Sequence, residues 1–372
     1  MSAGALAQLA ILGLLVAAIP LCYVWIKADA DRFRKLVWVT LFLTFDLILF
    51  GAFTRLTDSG LGCPDWPGCY GQSSPVAAAA HISQAQAAAP TGPVTFTKAW
   101  IEMIHRYLAM GVGVLIMTLM AASWSGQAAR RRSPWPATWL FGLVCLQGAF
   151  GAWTVTMKLM PVIVTIHLLL GVVLLCALGA LGACYHDAPI PEGIALRLRT
   201  PALIALATVF LQVALGGWVS TNYAVLACPD FPLCLGALVP PADFARGFDL
   251  TRPLGLNDDG SLLPLQALVA IHWVHRVFAL VVTVVIVSMA ALLLRQDPSH
   301  PVLRRTGWAL LAMLAMQLAT GVSNVIHAWP LAVAVLHNGG AALMALILAV
   351  LITRLAAAGG RVRSFVRSAA GA

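Results

Sequence analysis

The sequence predicts an all-α polytopic membrane protein: two four-helix bundles related by a pseudo-two-fold axis, plus one extra N-terminal transmembrane helix, nine spans in all. Three observations predict it. Of 372 residues, 60% are hydrophobic and only 10% charged, with a mean hydropathy of +0.89; an average soluble domain has about 45–50% and about 25%. The apolar residues fall in nine runs, each near the roughly 20 residues that cross a bilayer. The last eight runs repeat one pattern of motifs twice.

The runs lie at 4–26, 37–57, 99–122, 135–156, 162–184, 200–220, 264–294, 306–327 and 331–355. The first lacks a basic leader and a small-residue cleavage site, so it reads as a retained helix and not a signal peptide. The seventh is long enough to be tilted. Two long connections, 58–98 and 221–263, alternate with short basic ones. Residues 73–93 are rich in Ala, Pro, Gln and Ser without periodicity and read as flexible or weakly ordered.

The basic residues set the topology. Lys27, Arg32, Arg34, Lys35, Arg130 to Arg132, Arg197, Arg199, Arg295, Arg304, Arg305, Arg354, Arg361, Arg363 and Arg367 all fall on one side. The positive-inside rule makes that side cytoplasmic, with the N-terminus outside and the C-terminus inside. The net charge of +9 is thus a topology signal, and a nucleic-acid partner is not expected.

The repeat is read from matched residues. Cys63-Pro-Asp-Trp-Pro-Gly-Cys69 answers Cys228-Pro-Asp-Phe-Pro-Leu-Cys234 at an offset of 165; His105-Arg106, Gln147, Gly151 and His167 answer His275-Arg276, Gln317, Gly321 and His337 at 170. The organisation expected is an extra helix and loop (1–36), a first half (37–184), a linker (185–199), a second half (200–356) and a basic tail (357–372). An even number of spans per copy gives both halves the same orientation.

His105, His167, His275 and His337 lie on four spans that all start outside, each within about two to three turns of its helix start. A single membrane histidine reads as a hydrogen bond to a neighbouring helix. Four at one depth, in two equivalent pairs, read as axial ligands of two haem irons. Zinc or copper would want further ligands, and no acid or cysteine recurs at that depth in both halves.

Glu102 lies one turn outward of His105, and its counterpart is His272. An intramembrane carboxylate is a functional candidate; an ion pair with Arg106 at i+4 is the plainer reading, and the two are compatible. Arg55, Arg106 and Arg276 stand where haem propionates would reach the outer interface; snorkelling to headgroups is the alternative. The two Cys-x5-Cys boxes read as short-loop disulfides, each worth about 2–2.5 kcal/mol by chain entropy. Structural and redox-active roles both stay open.

These motifs together resemble the haem A synthase family. The matching pieces are Thr54-Arg55-Leu56-Thr57-Asp58-Ser59-Gly60-Leu61-Gly62-Cys63-Pro64-Asp65-Trp66-Pro67, the Glu102-x-x-His105-Arg106 box, His167, the second cysteine box, His275-Arg276 and His337, over residues 37–355. The resemblance implies oxidation of the C8 methyl of haem O to a formyl group, giving haem A for cytochrome oxidase. It implies haem O between His105 and His167, Glu102 as the catalytic carboxylate, and haem B between His275 and His337. Cys63 and Cys69 match the family's redox-relevant pair. Haem O synthase, oxidase assembly factors, membrane lipid and a second copy of the chain are the implied partners, in a bacterial inner membrane with the haem sites near the periplasmic side. The chain departs from the pattern in the helix at 4–26, the insertion after Gly71, and His272. A di-haem b electron-transfer subunit explains the four histidines but not the Glu102/His272 asymmetry; a transporter explains the repeat alone.

Overall fold

The computed structural model describes residues 3–26, 31–125, 133–184, 190–257 and 260–358. Lys27, the basic residues at 130–132 and the tail beyond 358 lie outside the described residues.

The order is α1 (Ala3–Ile26), α2 (Arg32–Leu56), α3 (Ala79–Ala88), α4 (Phe96–Trp124), α5 (Trp135–Thr156), α6 (Pro161–Ala183), α7 (Glu192–Thr221), a 3-10 turn (Ala224–Leu226), α8 (Phe244–Gly247), α9 (Leu265–Leu294), α10 (Pro301–Ile326) and α11 (Leu331–Ala358). Among the described residues nine helices are long and apolar enough to cross a membrane, and they coincide with the nine apolar runs. The protein is therefore a multi-pass all-α membrane protein.

Two elements depart from expectation. Residues 79–88 form helix α3, where low complexity suggested weak order; Ile82 is fully buried and anchors the helix against α4 and the first cysteine loop. One apolar contact organises a segment whose composition carries no period. Helix α7 starts at Glu192, eight residues early, and runs through Pro201. Ala195 and Leu198 are buried, so packing carries the helix through a residue that costs it a hydrogen bond.

Contacts divide the chain into two compact units, one up to Leu159 and one from Met160. In the first, α4 is the hub: α1, α2 and α5 each pack on it. Small residues let α1 approach closely. A Cβ on Gly111 would lie 2.5 Å from Val16, and one on Gly13 would lie 3.0 Å from Met110. In the second unit α7, α9, α10 and α11 close a four-helix ring, and α6 lies against α7 and α11. Thr165 of α6 meets Thr221 of α7 at 3.3 Å, and Leu168 packs where Gly217 has no side chain. The span at 161–183, counted with the first half by sequence, thus groups by contact with the second.

Candidate functional site

In the first unit, His105 rises half-buried from α4. Its Cε1 lies 3.1 Å from where a Cβ on Gly51 of α2 would stand, and the Phe50 ring stacks beside it with centroids 6.3 Å apart. In the second unit, His275 of α9 repeats this against Gly216 of α7, at 3.0 Å. Positions 51 and 216 differ by 165, the offset of the cysteine boxes, so the repeat governs packing as well as motif order. Sequence reading missed both glycines, which sit in apolar runs where glycine gives no periodic signal.

The second unit also holds His275 and His337 from behind. Thr320 Oγ1 of α10 lies 2.8 Å from His337 Nδ1 and donates its own proton to Met316 O at 2.7 Å. The hydroxyl can then only accept from Nδ1–H, which leaves Nε2 of His337 with a free lone pair, the form that ligates a metal. Gln317 Nε2 donates to the His337 carbonyl at 3.1 Å. The Gln212 amide nitrogen lies 3.2 Å from His275 Nδ1 and 3.2 Å from its carbonyl oxygen. Both rings remain half-buried. A haem iron wants imidazoles pinned from behind; Thr320 sets the ligating tautomer of His337, whereas Gln212 places the His275 ring through its amide nitrogen without setting that tautomer. His167 stands half-buried on α6 of the second unit.

Above each unit sits a cysteine loop of one design. Cys63 is bonded to Cys69 and Cys228 to Cys234. In the first loop Asp65 accepts the amides of Tyr70 and Gly71, both at 2.6 Å; in the second Asp230 accepts those of Leu235 and Gly236 at 2.7 and 2.8 Å. All four amide donors have positive φ. The chemistry the two Cys-Pro-Asp boxes share is therefore a carboxylate that ties a left-handed turn. The Gly236 and Leu235 amides, with the Arg276 charge, hold the Asp230 carboxyl below its ordinary value, while burial and the nearby Asp65 carboxylate push the Tyr70 phenol up.

The arginines next to the histidines fasten these loops. Arg106 donates to the carbonyls of Asp65 at 2.9 Å, Pro67 at 3.2 Å and Gly68, and pairs with Glu102 Oε1 at 2.5 Å. Arg276 donates to Asp230 O at 2.8 Å, Leu233 O at 3.0 Å and Cys228 O at 2.6 Å. Sequence reading gave propionates or lipid headgroups as partners of both guanidinium groups; the donors named here face loop carbonyls, because a residue one step past a histidine on a helix points about 100° away from it and outward to the loop. Of the three arginines, Arg55, near the outer end of α2, is outside this arrangement.

The halves part at one position. Glu102, only 4% exposed, accepts the Cys63 amide at 2.8 Å as well as Arg106. His272, equally buried, accepts Arg276 Nε on its Nε2 at 3.1 Å. The first half thus carries a buried carboxylate one turn from a candidate iron ligand; the second carries a neutral imidazole there.

Residues 34–351 match the family model COX15-CtaA, described as cytochrome oxidase assembly protein. A Shewanella oneidensis protein named "Heme A synthase" is 37% identical over 319 residues, covering 84% of this chain and 94% of its own. Proteins of the same name from Caulobacter vibrioides and a Caulobacter species are 30% and 29% identical, over 85% and 86% of this chain and 94% and 95% of theirs.

Proposed function

This chain belongs to the COX15-CtaA family, and from that premise we propose how its two halves divide the work of a haem A synthase, a membrane oxidoreductase that converts haem O to haem A. The first half takes haem O at His105 and His167, with Glu102 as the catalytic carboxylate. The second half holds haem B at His275 and His337 as a resident cofactor. The observation that carries this division is the Glu102/His272 difference within an otherwise repeated frame.

Haem B, when bound, supplies a one-electron redox centre. The chain's own residues do the rest. Cys63 N–H and the Arg106 guanidinium donate to Glu102, so each carboxylate oxygen has a partner when anionic. That anion can stabilise positive charge developing at the rim of the substrate ring or take a proton from the methyl being oxidised. Arg106 fixes the loop bearing Cys63 to the same helix turn, so the carboxylate is held rather than swinging in lipid. Arg55, at the outer end of α2, is proposed to meet a propionate of haem O. The orientation follows the basic loops: cytoplasmic C-terminus, haem sites near the periplasmic side of a bacterial inner membrane. A second copy of the chain, haem O synthase and oxidase assembly factors are the partners proposed.

Expression in a host that makes haem O, followed by extraction and chromatography of the bound haems, tests the reading. Haem B together with haem O or A supports it. Haem B alone would instead support a di-haem electron-transfer subunit.

A further inference from the structure

The outer ends of α2 and α4 come together beyond His105. On α2, Gly51 makes room for the His105 ring, and Arg55 follows it one turn further out. On α4, Lys98 precedes His105 by seven residues. Seven residues are two helical turns, so Lys98 and His105 leave the same face of the helix, with Lys98 about 10 Å further out. Arg106 is turned about 100° from that face and fastens the cysteine loop.

The surroundings fix Lys98 in place. Its Nζ donates to Asp58 Oδ2 at 3.1 Å, and the two side chains are 25% and 52% exposed. Asp58 is the second residue past α2, in left-handed backbone (φ 52°), and its amide donates to Arg55 O at 3.2 Å. A few residues on, the chain lies directly on α4: a Cβ on Gly62 would stand 2.4 Å from the Lys98 carbonyl carbon. One ion pair thus joins the ends of the two helices that meet at His105. A partly exposed pair of this kind contributes little, so another anion can take Lys98 from Asp58 at small cost. The second half lacks the pair: Leu268 stands seven residues before His275, and Tyr223 stands at the offset of Asp58.

We propose that Lys98 receives one propionate of haem O and gives up Asp58 as the substrate enters; the proposal rests on His105 as a ligand of haem O. The propionates of a haem held at His105 belong at the polar outer rim, because a carboxylate inside the hydrocarbon is costly. Lys98 is the cation on the ligand's own helix face at that rim. With Arg55 on α2, the two carboxylates of one haem meet two cations, one from each helix. Lys98 is therefore a substrate-binding residue of the first half, and Leu268 denies the second half the same contact.

The test is a Soret titration of the full-length protein, purified in detergent from a host that makes haem B but no haem O. The two probes are ferric haem O and its dimethyl ester, which lacks both propionate charges. Wild type should bind the acid more tightly than the ester. Lys98→Met should cut that preference about fivefold, the upper end for a partly exposed ion pair, and leave ester affinity unchanged. Asp58→Asn removes the competing carboxylate and keeps a residue suited to left-handed backbone; it should tighten the acid and leave the ester alone. A purely structural pair would instead weaken both probes in both variants. Arg246→Gln, in the other long outer loop, should change neither affinity. An acid preference unaltered in Lys98→Met, or acid binding weakened by Asp58→Asn, would overturn the proposal. Wild type that binds both probes equally would overturn the propionate contact alone, whereas wild type that binds neither would remove the haem O reading and this proposal with it.

Discussion

At two places where the second half sets a polar side chain beside a histidine, the first half has an apolar residue. Gln212 and Thr320 meet the Nδ1 atoms of His275 and His337. At the matching offsets the first half has Leu47 and Phe150. Outward of the histidines the contrast reverses: the first half has the charged pair Glu102–Arg106, the second the pair His272–Arg276. The histidines and the scaffold are duplicated; the residues at positions 212 and 320 and at 102 are not. A resident cofactor gains from ligands locked by a second layer of hydrogen bonds.

The largest effect expected lies at the rim. Glu102→Gln should lower haem O conversion by about 10²–10⁴-fold, the usual worth of a positioned acid–base group, with haem still bound. His272→Gln, at the equivalent position, should leave conversion nearly intact. A pyridine haemochrome assay paired with chromatography of extracted haems reads both. Equal losses in the two variants would break the comparison.

Next come the loop fasteners. Arg106→Ala strands a buried carboxylate and should cost about 3–5 kcal/mol. Arg276→Ala leaves carbonyls and a neutral imidazole short of donors, at about 1–3 kcal/mol. The melting temperatures of the purified variants should therefore rank wild type, Arg276→Ala, Arg106→Ala in descending order.

Thr320→Val should weaken haem B retention about 10–100-fold, as loss of a group behind a metal ligand does; capture of released haem by apomyoglobin measures it. Phe150→Thr in the other half asks whether a hydroxyl at the equivalent place slows product release.

The smallest effect concerns pH. Asp230 has a carboxyl held below its ordinary value by the Gly236 and Leu235 amides. Its contribution to the second loop is present above the ordinary carboxylate range and is lost as pH falls through the lowered value, below about pH 4. Exchange of the Leu235 and Gly236 amides should accelerate only below that point, and in Asp230→Asn it should already be fast at pH 7.

Much of this was legible in the residues. Nine spans follow from hydropathy, because a bilayer forces long apolar runs to be helices. The four histidines and the cysteine boxes stand out because the repeat prints them twice. What escaped notice is what the repeat does not mark. Gln212 and Thr320 occur in one half only and look like ordinary polar residues in a span. Ile82 organises α3 from a stretch that reads as low complexity. Arg106 and Arg276 were recognised as a pair, but their direction depends on where a loop 40 residues away folds back. Asp65 and Asp230 lay inside a recognised motif whose cysteines drew the attention, although a carboxylate followed by a turn is itself a capping signal.

The central claim is one haem per half, gripped by its own histidines. Haem extraction from His275→Ala and His105→Ala proteins, each made in a host supplying haem O, tests it most directly. The account predicts that His275→Ala loses haem B and keeps haem O or A, and that His105→Ala does the reverse. Loss of both haems together from correctly folded protein, or of neither, would contradict it.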